Sequence, residues 1–529
     1  SEADDQEMKA MEIGRVLCDA TTPNHIQFKF QLNMDSDVKA GQFIVVNGSR
    51  QFLGQVTRPS TFNPAFSDPR LIQFHENGGP DVQALYPEQE WTIAQALIVG
   101  EIEADRLDIT GSHPKPGDMV SLADNETLTK VFNMGNHIIL GQVYGHEGVR
   151  LQFDKDVLSY HTLITGMTSS GKTYAGAVLI EDAIEAGLPV VVIDPHGEFG
   201  PLIEPNNVKP EIDKLSLLGL SPRGYETQEF GPPDYASGSI KPFTITAGEL
   251  SFSDIMAIVP LPGDIQQMIL LKSMENLRAR HGSNYDLAQL KNEIERYGKE
   301  IKQEKSAETT SLRLQSLQNY GLLGKGMRAE DIVKPETVTI LTLPGVDDYM
   351  QQIVVAILAR KLLGTRQTGQ IPPLFLYVEE AYLYAPSSED PPSKSALIRL
   401  VEQGRKFGIG VGISTQQPSN VTSKIIAQCH LKIVLRLDTS SDLNYIVPWL
   451  GPETSYYTDM LPSFPDGRAI VKSKGLRRPV IVDIRARKSK HGGRTGMVTR
   501  SKTAPTTNMS TNEQSNKDES HMDKSWWEG

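Results

Sequence analysis

His161-Thr162-Leu163-Ile164-Thr165 leads into Gly166-Met167-Thr168-Ser169-Ser170-Gly171-Lys172-Thr173, and KTYAGAVLIEDAIEA (172–186) leads out of it. The first run is apolar and β-branched and reads as a strand. The last puts Ala175, Val178, Leu179 and Ile184 on one helical face, with Gly187 and Pro189 as stop signals. Between them stands G-x-x-x-x-G-K-[ST], the phosphate-binding P-loop. Backbone N–H groups of such a loop converge on an anion, and the positive end of the following helix points at it. Lys172 is expected to reach the β- and γ-phosphates of ATP, and the Thr173 hydroxyl to ligate Mg²⁺. The expected nucleotide-contacting set is Gly166, Met167, Thr168, Ser169, Ser170, Gly171, Lys172, Thr173 and Tyr174.

Downstream of the loop, apolar runs alternate with helical stretches: VVVID (190–194), VTILT (338–342), LFLYV (374–378), GVGIS (410–414), KIVLRL (432–437), RAIV (468–471) and VIVDI (480–484). Continuous Val/Ile/Leu runs are strands covered on both faces, so a doubly wound α/β core is expected over 151–485. A stretch without strand signals, about 247–332, contains DIQQMILLKSMENLRAR (264–280) and DLAQLKNEIERYGKEIKQE (286–304) and reads as an inserted helical subdomain. Upstream, residues 12–150 carry short β-rich runs, among them IGRVL (13–17), HIQFKF (25–30), QFIVV (42–46), FLGQVTR (52–58), WTIAQALIVG (91–100), MVSLA (119–123) and IILGQV (138–143). Turn signals such as Asn47-Gly48, Gly78-Gly79-Pro80 and Lys115-Pro116-Gly117-Asp118 separate them. This spacing predicts a small β-barrel domain, with a β-sandwich as the alternative. Residues 1–11 and 486–529 read as a disordered arm and a polar, disordered tail; Trp526-Trp527 is an accident of a flexible end or a short docking motif.

The balance of 53 Lys+Arg against 65 Asp+Glu gives a net charge of −12, which does not mark a nucleic-acid binder. It leaves room for a locally basic groove or channel inside an acidic shell. Cys18 and Cys429 lie outside any CxxC or Cys/His cluster, so neither a disulfide framework nor a zinc site is expected, and a reducing, cytoplasmic setting is the simplest one. The start SEADDQEMKA is too polar for a signal peptide, and no run approaches the ~18 apolar residues of a membrane span.

Three further segments fit a nucleotide site. LFLYV ends in Glu379-Glu380, at the strand end where open α/β sheets bind ligands. Glu379 is expected in the Mg²⁺ shell and Glu380 as the group that polarises the attacking water. Two surface glutamates starting a helix are the plainer alternative. Gln416, after GVGIS-Thr415, is placed to sense the γ-phosphate, unless Gln416-Gln417-Pro418 is only a polar turn. Arg405, in EQGRKFG, fits an arginine finger, although its spacing alone favours a solvated side chain.

VIDPHGEF (192–199), YVEEAY (377–382), EQGRKFGIG (402–410) and STQQP (414–418), in this order behind the P-loop, resemble the HerA family over about residues 12–485. These are hexameric double-stranded-DNA translocases of the HerA–FtsK group of RecA-like ATPases. The resemblance implies a RecA-like core with a small N-terminal barrel and a helical subdomain. It implies Mg²⁺-dependent ATP hydrolysis between the subunits of a homo-hexamer, double-stranded DNA as the translocated substrate, and a NurA-like nuclease or a defence effector docking on the barrel. By position, Lys172 and Thr173 match the family's P-loop residues, Glu379 and Glu380 its acidic pair, Gln416 its sensor amide and Arg405 its inter-subunit finger. Asp194, His196 and Glu198 match a second signature whose loop lies beside the nucleotide. The sequence departs from the family at Tyr160-His161, where archaeal relatives carry Arg-His, at Ala381-Tyr382, where Ala-His is usual, and at Gln417, where many have Arg. A DNA pump of conjugation or chromosome segregation, and a ring that scaffolds and activates an effector enzyme, remain as alternatives.

Overall fold

A computed structural model describes residues 12–492 apart from 35, 64–89, 104–105, 109–110, 234–235 and 237. Its strands begin with β1 (Glu12–Leu17), β2 (Gln27–Leu32), β3 (Phe43–Asn47), β4 (Gln51–Phe62), β5 (Trp91–Glu103), β6 (Arg106–Asp108) and β7 (Met119–Leu122). They form one antiparallel sheet in the order β2-β1-β7-β3-β4-β5-β6, and a further β2–β5 ladder closes the first six into a barrel. Alternate positions on each strand point inward, so Phe28, Phe30, Ile44, Val46, Phe52, Val56, Ala94, Ala96 and Val120 fill the interior. The sandwich alternative is thereby removed, because a barrel has no free pair of edges.

After helix α1 (Asn125–Phe132) the chain enters a second sheet. Its strands are β8 (Asn133–Met134), β9 (Ile138–Val143), β10 (Arg150–Phe153), β11 (Thr162–Thr165), β12 (Val190–Asp194), β13 (Thr227–Gly231), β14 (Lys241–Pro242), β15 (Val338–Thr342), β16 (Leu374–Val378), β17 (Ile409–Thr415), β18 (Leu431–Val434), β19 (Arg468–Lys472) and β20 (Val480–Ile484). The order is β14-β13-β15-β12-β16-β17-β11-β18-β19-β20-β9-β10-β8. From β13 to β18 the ladders are parallel. Placing β17 between β11 and β16 is the RecA-like arrangement: the P-loop strand and the acidic strand flank a third strand whose end can reach both.

One expectation is corrected here. IILGQV, grouped with the barrel, is β9 of the core sheet, paired antiparallel with β20. The barrel therefore ends before α1 and not near Arg150. Local alternation identifies a strand but not the edge it will join.

The helix α2 (Lys172–Glu185) follows the P-loop and is almost wholly buried. Between β14 and β15 lie α3 (Asp264–His281), α4 (Leu287–Glu300) and α5 (Glu304–Leu314); α6 (Asp348–Gln367) and α7 (Pro392–Gly404) complete the long helices. Asp286 caps α4, its carboxylate accepting the Gln289 N–H while the Gln289 side chain accepts the Asp286 N–H in return.

The polar tail starts later than expected. Arg485, Arg487, Lys488 and Ser489 are buried. Arg485 donates to Glu181 Oε2 at 2.9 Å and to Asp182 Oδ1 at 2.7 Å, Lys488 Nζ to Glu185 Oε2 at 2.6 Å, and Ser489 Oγ to Glu181 Oε1 at 2.6 Å. A basic run without acids of its own reads as solvated, yet here its counter-charges wait on α2, about three hundred residues earlier. The expected arm (1–11), the rest of the tail (493–529, with Trp526-Trp527) and the Gly78-Gly79-Pro80 turn lie outside the described residues. Among the described residues no helix is long and apolar enough to cross a membrane, and Cys18 and Cys429 are unpaired.

Candidate active site

The P-loop spans the turn from β11 to α2. Ser169 (φ 65°) and Gly171 (φ 96°) both take left-handed backbone, which turns successive N–H groups toward one concave point. Gly166 cannot be larger: a Cβ there would stand 2.4 Å from Ser170 Oγ and 2.9 Å from Leu435 Cβ. Thr168 and Ser169 are exposed at the tip, while Ser170 and Lys172 are buried.

The acidic pair leaves β16 beside it. Lys172 Nζ donates to Glu379 Oε1 and to Glu380 Oε1, both at 2.9 Å, and Thr173 Oγ1 donates to Glu379 Oε1 at 3.2 Å. Burial disfavours the Lys172 ammonium, but the two carboxylates outweigh it and hold its pKa above the ordinary lysine value. Glu380 adopts φ 52°, ψ 53°, a left-handed conformation that costs about 1–2 kcal/mol for a residue with a Cβ. That turn aims its side chain back across the strand end. Gln416, just past β17, closes the group: its Nε2 donates to Glu380 Oε1 at 2.7 Å, and its Oε1 accepts from Thr168 Oγ1 at 2.8 Å.

Lys172, Thr173, Glu379, Glu380, Gln416 and the P-loop thus meet at the C-terminal ends of β11, β16 and β17. Asp194 ends β12 next door, but its carboxylate accepts the backbone N–H groups of His196, Gly197 and Phe199 at 3.2, 2.8 and 3.0 Å. It shapes the loop rather than facing the cleft, and burial raises its pKa to about 6 despite these donors. His196 is exposed and Glu198 half-buried. The Tyr174 hydroxyl accepts the Arg487 N–H at 2.8 Å and donates to Glu211 at 3.1 Å, so any phosphate contact falls to its backbone. Met167 takes the Arg436 carbonyl and, through sulfur, its guanidinium at 3.4 Å.

Arg405 stands apart. It precedes β17, whereas Gln416 follows it, and seven residues of strand span about 20 Å. It therefore lies at the other end of the sheet from its own P-loop.

Sequence reasoning missed Tyr377. Its hydroxyl is buried beneath the site and donates to Glu379 Oε2 at 2.8 Å, which fixes the second oxygen of that carboxylate. A Cβ on Gly176 would come within 2.1 Å of this hydroxyl. The legible signals were a lone hydroxyl-bearing side chain in an otherwise apolar strand and a glycine inside the P-loop helix.

The residues present fit a magnesium-bound nucleoside triphosphate. Among the described residues Ser170 Oγ and Glu380 Oε2 are buried and have no hydrogen-bond partner, and the Lys172 ammonium holds carboxylates that phosphate oxygens can replace. The hydroxyl and carboxylate of Thr173 and Glu379 are hard oxygen donors suited to Mg²⁺.

The profile of the family described as "Helicase HerA, central domain" matches residues 138–362. Its first residue is the start of β9. The chain is 23% identical to the DNA double-strand break repair helicase HerA of Pyrococcus furiosus, covering 86% of this chain and 89% of that one. It is 24% identical to the protein of the same description from Saccharolobus solfataricus, over 90% and 92% of the two chains. Among solved structures, the plasmid coupling protein TrwB in complex with a non-hydrolysable ATP analogue aligns at a TM-score of 0.46, with 13% identity, over 70% of this chain and 94% of that one.

Proposed function

The chain belongs to the HerA family and is an ATPase, and from that premise we propose that it is a ring-forming translocase of double-stranded DNA that works with a nuclease in processing broken ends. The observation that carries the reading is the meeting of Lys172, Thr173, Glu379, Glu380 and Gln416 at one sheet end while Arg405 sits at the other. Such a chain holds a nearly complete hydrolytic site and the finger for a different one. Head-to-tail assembly completes both, and a homo-hexamer around duplex DNA satisfies the arrangement.

In this reading Lys172 gives up its carboxylates to bind the β- and γ-phosphates, and Thr173 and Glu379 hold the metal. Mg²⁺ held there would supply positive charge against that of the phosphates. Releasing Lys172 frees Glu380, whose unpartnered Oε2 accepts the proton of the attacking water. Gln416, tied to both Glu380 and the loop tip at Thr168, reports whether the γ-phosphate is present. The guanidinium of Arg405 from a neighbouring copy matches the charge that develops on the transferred phosphoryl group. The barrel is the docking surface for the nuclease. Asp194, His196 and Glu198 organise the loop beside the nucleotide without joining the transfer.

A steady-state ATPase assay with and without blunt duplex DNA tests the proposal. Stimulation by duplex on the chain alone is expected. Stimulation that needs a partner protein, with none from DNA, would replace the translocase by a ring that scaffolds an effector enzyme.

A further inference from the structure

Away from the P-loop, three basic side chains gather on one ring. The Arg405 guanidinium carbon lies 3.8 Å from the Tyr160 ring centre and Lys474 Nζ lies 5.0 Å from it, while the His430 imidazole meets the ring edge-on at 5.6 Å. Arg405 and Lys474 are exposed, and Tyr160 is half-buried. Among the described residues neither cation has an ion-pair partner; Glu402, one turn earlier on α7, pairs with neither.

The platform is fixed from four directions. His161 adopts φ 59°; its Nδ1 accepts the Val411 N–H at 3.1 Å, so the proton sits on Nε2, which donates to the Val401 carbonyl at 2.8 Å. That bridge clamps the end of α7 to the start of β17, and Arg405 lies between the two. The His430 N–H donates to the Tyr160 carbonyl at 3.0 Å. Lys474 comes from the β19–β20 turn, whose Arg477 and Arg478 donate to the barrel carbonyls of Val99 and Ile98 at 3.5 and 3.4 Å.

Two cations held side by side repel one another; the ring's negative face offsets part of that cost, and an anion of more than one charge removes the rest. A guanidinium offers paired donors and an ammonium a mobile point charge, which together suit adjacent phosphate groups. We propose that Lys474 is a second cation acting in trans: Tyr160 presents Arg405 and Lys474 together to the triphosphate bound by a second copy of this chain. Lys474 contacts the phosphates, and Tyr160 is a positioning residue. The inference rests on the trans reading of Arg405.

The test is steady-state ATPase on assembled full-length protein, without DNA, paired with nucleotide retention. Lys474→Ala is expected to lower kcat about tenfold or more with ATP retention unchanged, and Lys474→Arg to restore most of it. Tyr160→Leu should lower kcat similarly, and Tyr160→Phe, which keeps the ring, should rescue it; a merely structural tyrosine would show loss of melting temperature instead. Mixing Lys474→Ala with Glu380→Gln protein should return activity, because the two defects then fall on different interfaces. Wild-type kcat in Lys474→Ala overturns the inference. So does a Lys474→Ala protein with normal DNA-free turnover but weakened duplex binding, which assigns the patch to the nucleic-acid backbone. An Arg405→Ala protein that hydrolyses ATP normally removes the underlying trans reading; an inactive Arg405→Ala beside a normal Lys474→Ala removes only the role of Lys474.

Discussion

Gln416 Nε2 donates to Glu380 Oε1 at 2.7 Å, so one oxygen of this carboxylate is held from the strand that carries neither the P-loop nor the acidic pair. Lys172 holds the same oxygen, and Oε2 is left buried and unbonded. A carboxylate tethered on one side and open on the other is suited to taking a proton from a water placed against the open side.

Glu380→Gln is therefore expected to keep ATP bound and lose about 10²–10⁴ in turnover. Lys172→Ala should lose turnover because the triphosphate loses its main side-chain cation, while the fold survives. Retention of radiolabelled nucleotide and phosphate release, measured on both proteins, check this. Normal hydrolysis by Glu380→Gln would move the base elsewhere, with Glu198 the next residue to replace.

Arg405→Ala should assemble and bind ATP yet turn over about 10³-fold more slowly. Mixed with Glu380→Gln before assembly, it should regain part of the activity, since some interfaces then contain both an intact Glu380 and an intact Arg405. Verified co-assembly without recovery, together with weak poisoning of wild-type rings by either mutant, would remove Arg405 from the trans role.

Duplex affinity should fall steeply with salt in spite of the net charge of −12. Neutralised phosphates release counterions, so each contact adds about one to the log–log slope. Fluorescence anisotropy at two salt concentrations reads this; a flat response would count against a phosphate-tracking motor.

His161 makes stability depend on acid. Burial is the main reason its pKa falls to about 4, helped by the positive charge of His430 and Arg405 and opposed by its bond to Val401. The folded pKa lies below the unfolded value of ~6.5, so the unfolded chain takes the proton first. The contribution is fully present above pH ~6.5 and is lost as pH falls through 4, and it amounts to about 3 kcal/mol. His146, also lowered to about 4 by burial, acts in the same direction, while Asp194, raised to about 6, opposes them over the same range. The difference isolates His161: denaturant melts at pH 7 and pH 4.5 should diverge less for His161→Gln than for the wild type. Equal divergence in both would show that this ring does not titrate on unfolding.

Local patterns carried much of this structure. The P-loop needs a strand, a tight turn and a helix in immediate succession, and each leaves its own mark within 161–189. Glu379-Glu380 and Gln416 were visible because both follow buried strand runs. What stayed hidden depends on partners distant in the chain. Nothing in IILGQV announces β20, and nothing in Arg485–Ser489 announces Glu181. Tyr377 was overlooked because its role exists only against the missing side chain of Gly176. The Tyr160 substitution was noticed in the sequence, but the two cations it carries come from positions 405 and 474.

The pairing of Arg485 with Glu181 and Asp182 has a consequence for biosynthesis. The two carboxylates leave the ribosome 304 and 303 residues before their guanidinium partner. At about 5–20 residues per second the delay is roughly 15–60 s. Over that interval the P-loop helix lacks its counter-charges, and two acids placed for burial must stay hydrated. The nascent chain thus shows an unfinished nucleotide pocket until Arg485 has been made. A stop codon shortly before Arg485 would leave every catalytic side chain encoded and the helix that bears Lys172 without its anchor.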